Sequence, residues 1–168
     1  MTIKVGERLP EGTLTECTEF DPATSCPMNP QALPVADLVK GKKIVIFAVP
    51  GAFTPTCSIK HLPGYVEHYD QFKAKGVDEI WCMAVNDGFV MAAWGRDQKA
   101  GGKVRMMADG SADYVKKLGL ERDLTPNGMG FRSQRFAMIV EDGVVRHLGV
   151  EAPSKFEVSN AEAILANL

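Results

Sequence analysis

No two cysteines in this chain stand at Cys-x-x-Cys spacing, and only three histidines accompany Cys17, Cys26, Cys57 and Cys82. So sparse a donor set argues against a structural zinc site. Charge of one sign is also missing. Nineteen Lys and Arg face 21 Asp and Glu for a net charge of -2, with both signs interspersed, so no basic patch advertises nucleic acid. No apolar run approaches the length that crosses a bilayer; the longest, Ile44 to Val49, is strand-sized. The stretch Met1 to Leu14 lacks the apolar core and cleavage site of a secretory signal. Cytoplasmic residence is therefore the expectation, in a compartment that keeps thiols reduced. A disulfide framework does not suit that setting, so at least one cysteine needs another explanation.

What is present is ordinary for a globular protein, with 45% hydrophobic and 24% charged residues. Repeats, low-complexity tracts and linkers are absent, and 168 residues suit a single domain. The first thirty residues are rich in turn formers and suggest a short hairpin plus a loop. Val35 to Lys40 reads as a short helix stopped by Gly41. Lys43 to Val49 and Glu79 to Val85 are continuous apolar runs, as in strands covered on both faces, and Val104 to Ala108 is a weaker one.

Helical patterns lie between them. Ile59, Leu62, Val66, Tyr69 and Phe72 mark one apolar stripe over 57–74. Phe89 to Lys99 follows an Asn86 or Asp87 cap, and Ser111 to Leu118 ends at Gly119. Arg135 to Glu141 and Val144 to Val150 flank Asp142-Gly143, a strong hairpin signal. Ser159-x-x-Glu162 reads as a capping box for a last helix. This order predicts an α/β fold of the thioredoxin-like kind, a mixed central sheet flanked by helices.

The chemistry concentrates in Val49-Pro50-Gly51-Ala52-Phe53-Thr54-Pro55-Thr56-Cys57, after a buried strand and at the opening of a helix. Thr54 is a favoured N-cap type and Pro55 suits the first helical position, which puts Cys57 in the first turn near free N–H groups. A cysteine that acts as a nucleophile must be ionised near neutral pH. Lowering a cysteine pKa from about 8.5 to about 6 takes about 3 kcal/mol. A helix terminus supplies about 0.3–1 kcal/mol, and about 2 at best. A fixed cation must make up the difference. Arg135 opens an otherwise apolar strand whose alternation puts it on one face with Ala137 and Ile139. Arg132, three residues earlier, competes for the role, and spacing leaves the two open.

PGAFTPTC, with HLPGY, VND, WGRDQ and the RSQRF strand after it, resembles the type II peroxiredoxins, the branch that includes peroxiredoxin 5. The resemblance runs from about Gly41 to Val150. It implies a thioredoxin-like fold, reduction of hydrogen peroxide and alkyl hydroperoxides, and a homodimer packed beside the active-site loops. It implies Cys57 as the peroxidatic cysteine, Thr54 as the threonine three residues before it, and Pro50 at the head of the loop. It also selects Arg135 over Arg132. Neither metal nor organic cofactor is implied. Some members carry a resolving cysteine near the C-terminus; here no cysteine follows Cys82. An outside reductant is then needed, glutaredoxin with glutathione or thioredoxin.

The remaining thiols have plainer readings. Cys82 is mid-strand, where cysteine is usually a small buried hydrophobe. It lies roughly 10 Å below the strand end at about 3.3 Å per residue. A bond to Cys57 would need Cα atoms within about 7 Å, and hence local unfolding. Cys26 is the best internal candidate for a resolving role if one exists. His61, four residues after Cys57, invites a cysteine-protease reading, but Pro63 interrupts the helix and no protease signature accompanies the pair. Packing or hydrogen bonding is the expectation for His61. Two other classes compete: a thiol–disulfide oxidoreductase, although Thr54-x-x-Cys57 lacks that chemistry's first cysteine, and a non-catalytic thioredoxin-like binding module.

Overall fold

The computed structural model describes residues 1–168. Its strands are β1 (Thr13–Glu16), β2 (Glu19–Phe20), β3 (Pro27–Met28), β4 (Gln31–Pro34), β5 (Lys43–Ala48), β6 (Glu79–Ala84), β7 (Val104–Ala108), β8 (Glu121–Leu124), β9 (Gly130–Ser133), β10 (Phe136–Glu141) and β11 (Val144–Val150). Its helices are α1 (Val35–Val39), α2 (Leu62–Glu67), α3 (Tyr69–Ala74), α4 (Gly88–Asp97), α5 (Asp113–Leu118) and α6 (Ala161–Leu165). Seven strands form one mixed sheet in the order β11-β10-β5-β6-β7-β1-β4.

The unbroken apolar run of β5 follows from its central place in that sheet. It pairs parallel with β6 and antiparallel with β10, and its side chains alternate between two cores. Val45 and Phe47 enter one core with residues of α2, α3, α4 and α6; Ile44, Ile46 and Ala48 enter the other with α1 and α5. The antiparallel register pairs Phe136 with Ala48. Arg135 therefore sits beside the end of β5, where the Pro50–Cys57 loop begins.

The β10–β11 hairpin turns at Asp142-Gly143, both with positive φ (46° and 79°), as a tight primed turn requires. The turn-rich start is more ordered than expected: β1 pairs with β4 and β7 in the main sheet, and β2 and β3 form a separate small hairpin. The hairpin of β8 and β9 carries no apolar alternation, so nothing in the sequence announces it.

Two readings of the helices need correction. The stripe over 57–74 is not one helix: a π-helical turn, Cys57–His61, precedes α2, and the chain breaks again at His68 before α3. Pro63 has no N–H, and its ring crowds the carbonyl four residues back, so the turn before it widens; Leu62 N–H bonds to the Cys57 carbonyl, five residues away. The wider turn rotates Ile59 out of the stripe, leaving it 71% exposed, while Cys57 and His61 face inward. At the last helix the cap is Asn160, whose side chain accepts from Ala163 N–H, one residue later than the capping-box pattern suggested. Ser159 is engaged elsewhere.

Candidate active site

Helical geometry begins at Pro55, as the Thr-Pro pair predicts, and Ser58 N–H bonds back to the Thr54 carbonyl. Cys57 therefore lies in the first turn, 1% exposed, with its neighbours fixed from several sides. Ala52 N–H donates to Asn86 Oδ1 (2.9 Å), tying the loop to the end of β6. Arg132 donates from Nε to the Met129 carbonyl (2.9 Å) and from Nη1 to the Pro50 carbonyl (3.3 Å). A Cβ at Gly51 would stand 2.9 Å from Arg132 Nη1, so glycine is what lets the arginine approach the loop so closely. Arg132 thus braces the backbone.

Arg135 does something different. Its Nη2 donates to Cys57 Sγ (3.2 Å) and its Nη1 to His61 Nδ1 (2.8 Å). Arginine only donates, so Nδ1 must accept and the ring proton must sit on Nε2. From there it reaches the Ser159 carbonyl (2.9 Å), which also accepts from Tyr65 Oη (2.7 Å). Burial first, and then the Arg135 charge, lower the His61 pKa to about 3. The imidazole is neutral at working pH and leaves the guanidinium charge uncompensated.

The chain of bonds continues outward. Ser159 N–H and Oγ–H both donate to Glu151 Oε2, as does Val158 N–H, and Glu157 N–H bonds to the same carboxylate. Burial raises the Glu151 pKa, but these donors outweigh it and hold the carboxyl below its ordinary value. Phe156 packs edge-on to His61 (5.0 Å between centroids) and lies 5.8 Å from the Arg135 guanidinium. His61 was expected to pack or to hydrogen-bond; it does both, and its partner is the arginine. The carboxylate behind it was not anticipated.

Thr54 adjoins this cluster, but its hydroxyl donates to the Gly51 carbonyl (2.7 Å) rather than accepting from a helix N–H. Its side chain locks the loop instead of capping the helix. The oxygen keeps lone pairs with which to accept.

The other thiols are separate. Cys82 is fully buried in the same core as Cys57, and both are free. Burial first, and the neighbouring Cys57 sulfur second, push the Cys82 thiol well above its ordinary value. Cys17 is buried and donates to the Met28 carbonyl (3.1 Å); Cys26 is exposed in the turn between β2 and β3.

Comparison with known proteins identifies the family. The family model described as Redoxin matches residues 4–165. Peroxiredoxin-2B of Arabidopsis thaliana is 46% identical over 166 residues, 99% of this chain and 98% of the relative. The chain belongs to the peroxiredoxins, in their type II branch. Among solved structures, reduced Prx3 from Vibrio vulnificus in complex with hydrogen peroxide shares 53% identity at a TM-score of 0.91, over 99% of both chains. Peroxiredoxin 5 from Alvinella pompejana shares 35% identity at 0.82, over 98% of this chain and 96% of that one. The fold of this peroxiredoxin is the thioredoxin-like one expected, and its activity is that of a thiol peroxidase. No helix is long and apolar enough to cross a membrane.

Proposed function

We propose that Cys57 is the peroxidatic nucleophile of a one-cysteine cycle acting on hydrogen peroxide and alkyl hydroperoxides. The observation that carries this reading is the Arg135 Nη2–Cys57 Sγ hydrogen bond of 3.2 Å, made by an arginine whose other partner is a neutral imidazole. The thiolate attacks the terminal peroxide oxygen; the S–O bond forms as the O–O bond breaks. The leaving alkoxide or hydroxide takes a proton from solvent and departs as alcohol or water. Arg135 stabilises first the thiolate and then the charge growing on the leaving oxygen. Thr54, its hydrogen committed to Gly51, accepts from the peroxide O–H and orients it. Pro50 opens the loop and shapes the mouth of the site.

The sulfenic acid left on Cys57 is reduced by an outside thiol, glutaredoxin with glutathione or thioredoxin. The two reactants that internal resolution would need are poorly suited to it: Cys82 is a neutral buried thiol, and Cys26 sits on another hairpin. The exposed apolar Phe53 and Ile59, on the loop and turn that carry Cys57, suit a homodimer contact beside the site. Cytoplasmic residence completes the reading.

Intact mass tests the cycle. One equivalent of peroxide should add one oxygen to the protein; loss of two hydrogens would instead mean an internal disulfide and would end the one-cysteine reading. Cys57→Ser should abolish turnover while Cys82→Ser keeps most of it. Equal losses would point to a paired mechanism.

A further inference from the structure

A cavity of about 440 Å³ opens beside the site, with Arg135, Pro50 and Thr56 in its inner wall. Its lining also contains Lys60, Arg122 and Lys155, giving four cations against one carboxylate, Glu151. That carboxylate is already occupied by the N–H groups of Glu157, Val158 and Ser159. None of Lys60, Arg122 and Lys155 takes part in any of the ion pairs, which all involve other cations. In a chain of net charge -2, three unpaired cations have been gathered around one concavity next to the reactive sulfur.

Hydrogen peroxide is uncharged and needs none of them. A long-chain hydroperoxide would need an apolar wall, whereas the lining is polar apart from Ala152, Phe156 and two prolines. The volume falls in the range of small-molecule sites, about 300–1,000 Å³. Charge and size together fit a small thiol bearing carboxylates, the chemistry of glutathione.

We propose that this cavity seats the anionic thiol that reduces the Cys57 sulfenic acid, with its carboxylates held by Lys60, Arg122 and Lys155. The proposal deepens the one-cysteine reading and rests on it. The seated thiol attacks Sγ; an S–S bond forms as the S–O bond breaks, and the hydroxide leaves as water with the proton of the attacking thiol. A second thiol then attacks the sulfur of the ligand. It releases Cys57 as thiolate and leaves a disulfide of the two small thiols, so two thiols are oxidised for each sulfenic acid reduced. Because Cys57 is 1% exposed at rest, Sγ must shift toward the cavity for the first step, and Lys60, on the same turn, shifts with it, so Arg122 and Lys155 form the fixed part of the seat.

The test has two arms. Protein oxidised with one equivalent of peroxide is mixed with glutathione or with uncharged 2-mercaptoethanol, and the rate of mixed-disulfide formation is read by mass. Exposed charge contacts are individually modest, so the double variant Arg122→Gln/Lys155→Gln should slow glutathione about tenfold and mercaptoethanol by less than about twofold. Equal slowing of both thiols, or of neither, overturns the proposal. In the second arm S-methylglutathione, which cannot react, is titrated into the reduced protein by calorimetry. Binding should weaken about tenfold in the double variant and fade as salt is raised. Absence of binding to the unaltered protein also overturns the proposal. This arm involves no redox step, so a failed one-cysteine cycle, seen in the mass after peroxide, cannot be mistaken for a failed cavity.

Discussion

Two arginines in this fold are set in opposite surroundings. Arg105, on β7, donates to Glu16 from Nε and Nη2 (3.0 and 2.7 Å) and to Glu79 from Nη1 (2.7 Å), while Lys42 pairs with the same Glu79 at 2.6 Å. Arg135, at the mouth of β10, meets no carboxylate at all within ion-pair distance. Its fork is held by a neutral imidazole and the thiol sulfur, with the Phe156 ring 5.8 Å away. The contrast shows how a fold can fix an arginine without spending its charge. Carboxylate partners would position Arg135 equally well, but under the proposed mechanism they would cancel the field it offers to Cys57. A histidine kept neutral by burial fixes the geometry and leaves the charge for the sulfur.

The sharpest way to break the comparison is to remove the free charge. Arg135→Ala should slow peroxide oxidation of Cys57 by about 100-fold or more, the scale seen when one preorganised donor is lost. Arg132→Ala, which unties the loop but leaves the Sγ contact, should cost about tenfold or less. Stopped-flow fluorescence or competition with a second peroxidase reads both. A larger loss at Arg132 would reverse the assignment of the two arginines.

A smaller effect probes the neutral partner. His61→Leu leaves Arg135 Nη1 without its acceptor and should slow the peroxide step about tenfold, while His61→Gln, which can still accept, recovers part of the rate. Because the pKa of His61 is lowered to about 3, the imidazole contributes no inflection to the rate near pH 6.5. Its signature is in stability. The unfolded chain binds a proton at His61 below about pH 6.5 that the folded chain refuses down to about 3, so this contribution is complete above 6.5 and is lost as pH falls. Urea midpoints should fall between pH 6.5 and 4.5 in the unaltered protein, with a slope of up to about 1.4 kcal/mol per pH unit. His61→Gln should flatten that slope. An unchanged slope would mean that His61 is not the neutral group described.

The surroundings of Arg135 were legible in the sequence only in part. The strand face of Arg135 was legible, because Arg135, Ala137 and Ile139 alternate and the apolar runs of β5 and β10 suit central strands. The position of Cys57 was legible too, since Thr54-Pro55 marks a helix start. The contact with His61 was not, for it joins residues 74 apart and depends on the antiparallel register of β5 and β10. Nor was the inward turn of Cys57 and His61: pattern reading assumes 3.6 residues per turn, and the π-helical turn before Pro63 breaks that period. Ser159 looked like a capping box and Glu151 carried no signal, because nothing local says that a carboxylate will gather three consecutive N–H groups. The β8–β9 hairpin escaped notice since its strands bury little and so carry no alternation.

The smallest effect on catalysis should come from the arginine whose charge is fully paired. Arg105→Gln removes the bonds to Glu16 and Glu79 but touches nothing near Cys57, so the peroxide rate should change by less than about twofold. Stability should drop by about 1–2 kcal/mol, a modest sum because the network is partly exposed and screened. The pH dependence identifies the cause. Burial raises the Glu79 pKa, but Lys42, Trp81 and Arg105 together outweigh it and lower it to about 2. The stability this carboxylate contributes is complete above its unfolded pKa of 4.5 and is lost as pH falls toward 2. Without Arg105 the folded value moves back toward 4.5. The difference between variant and unaltered protein should therefore be largest at neutral pH and should shrink below pH 4.5. A gap that stays constant down to pH 3 would assign the loss to packing against Trp81, whose ring lies 5.9 Å from the guanidinium, rather than to charge.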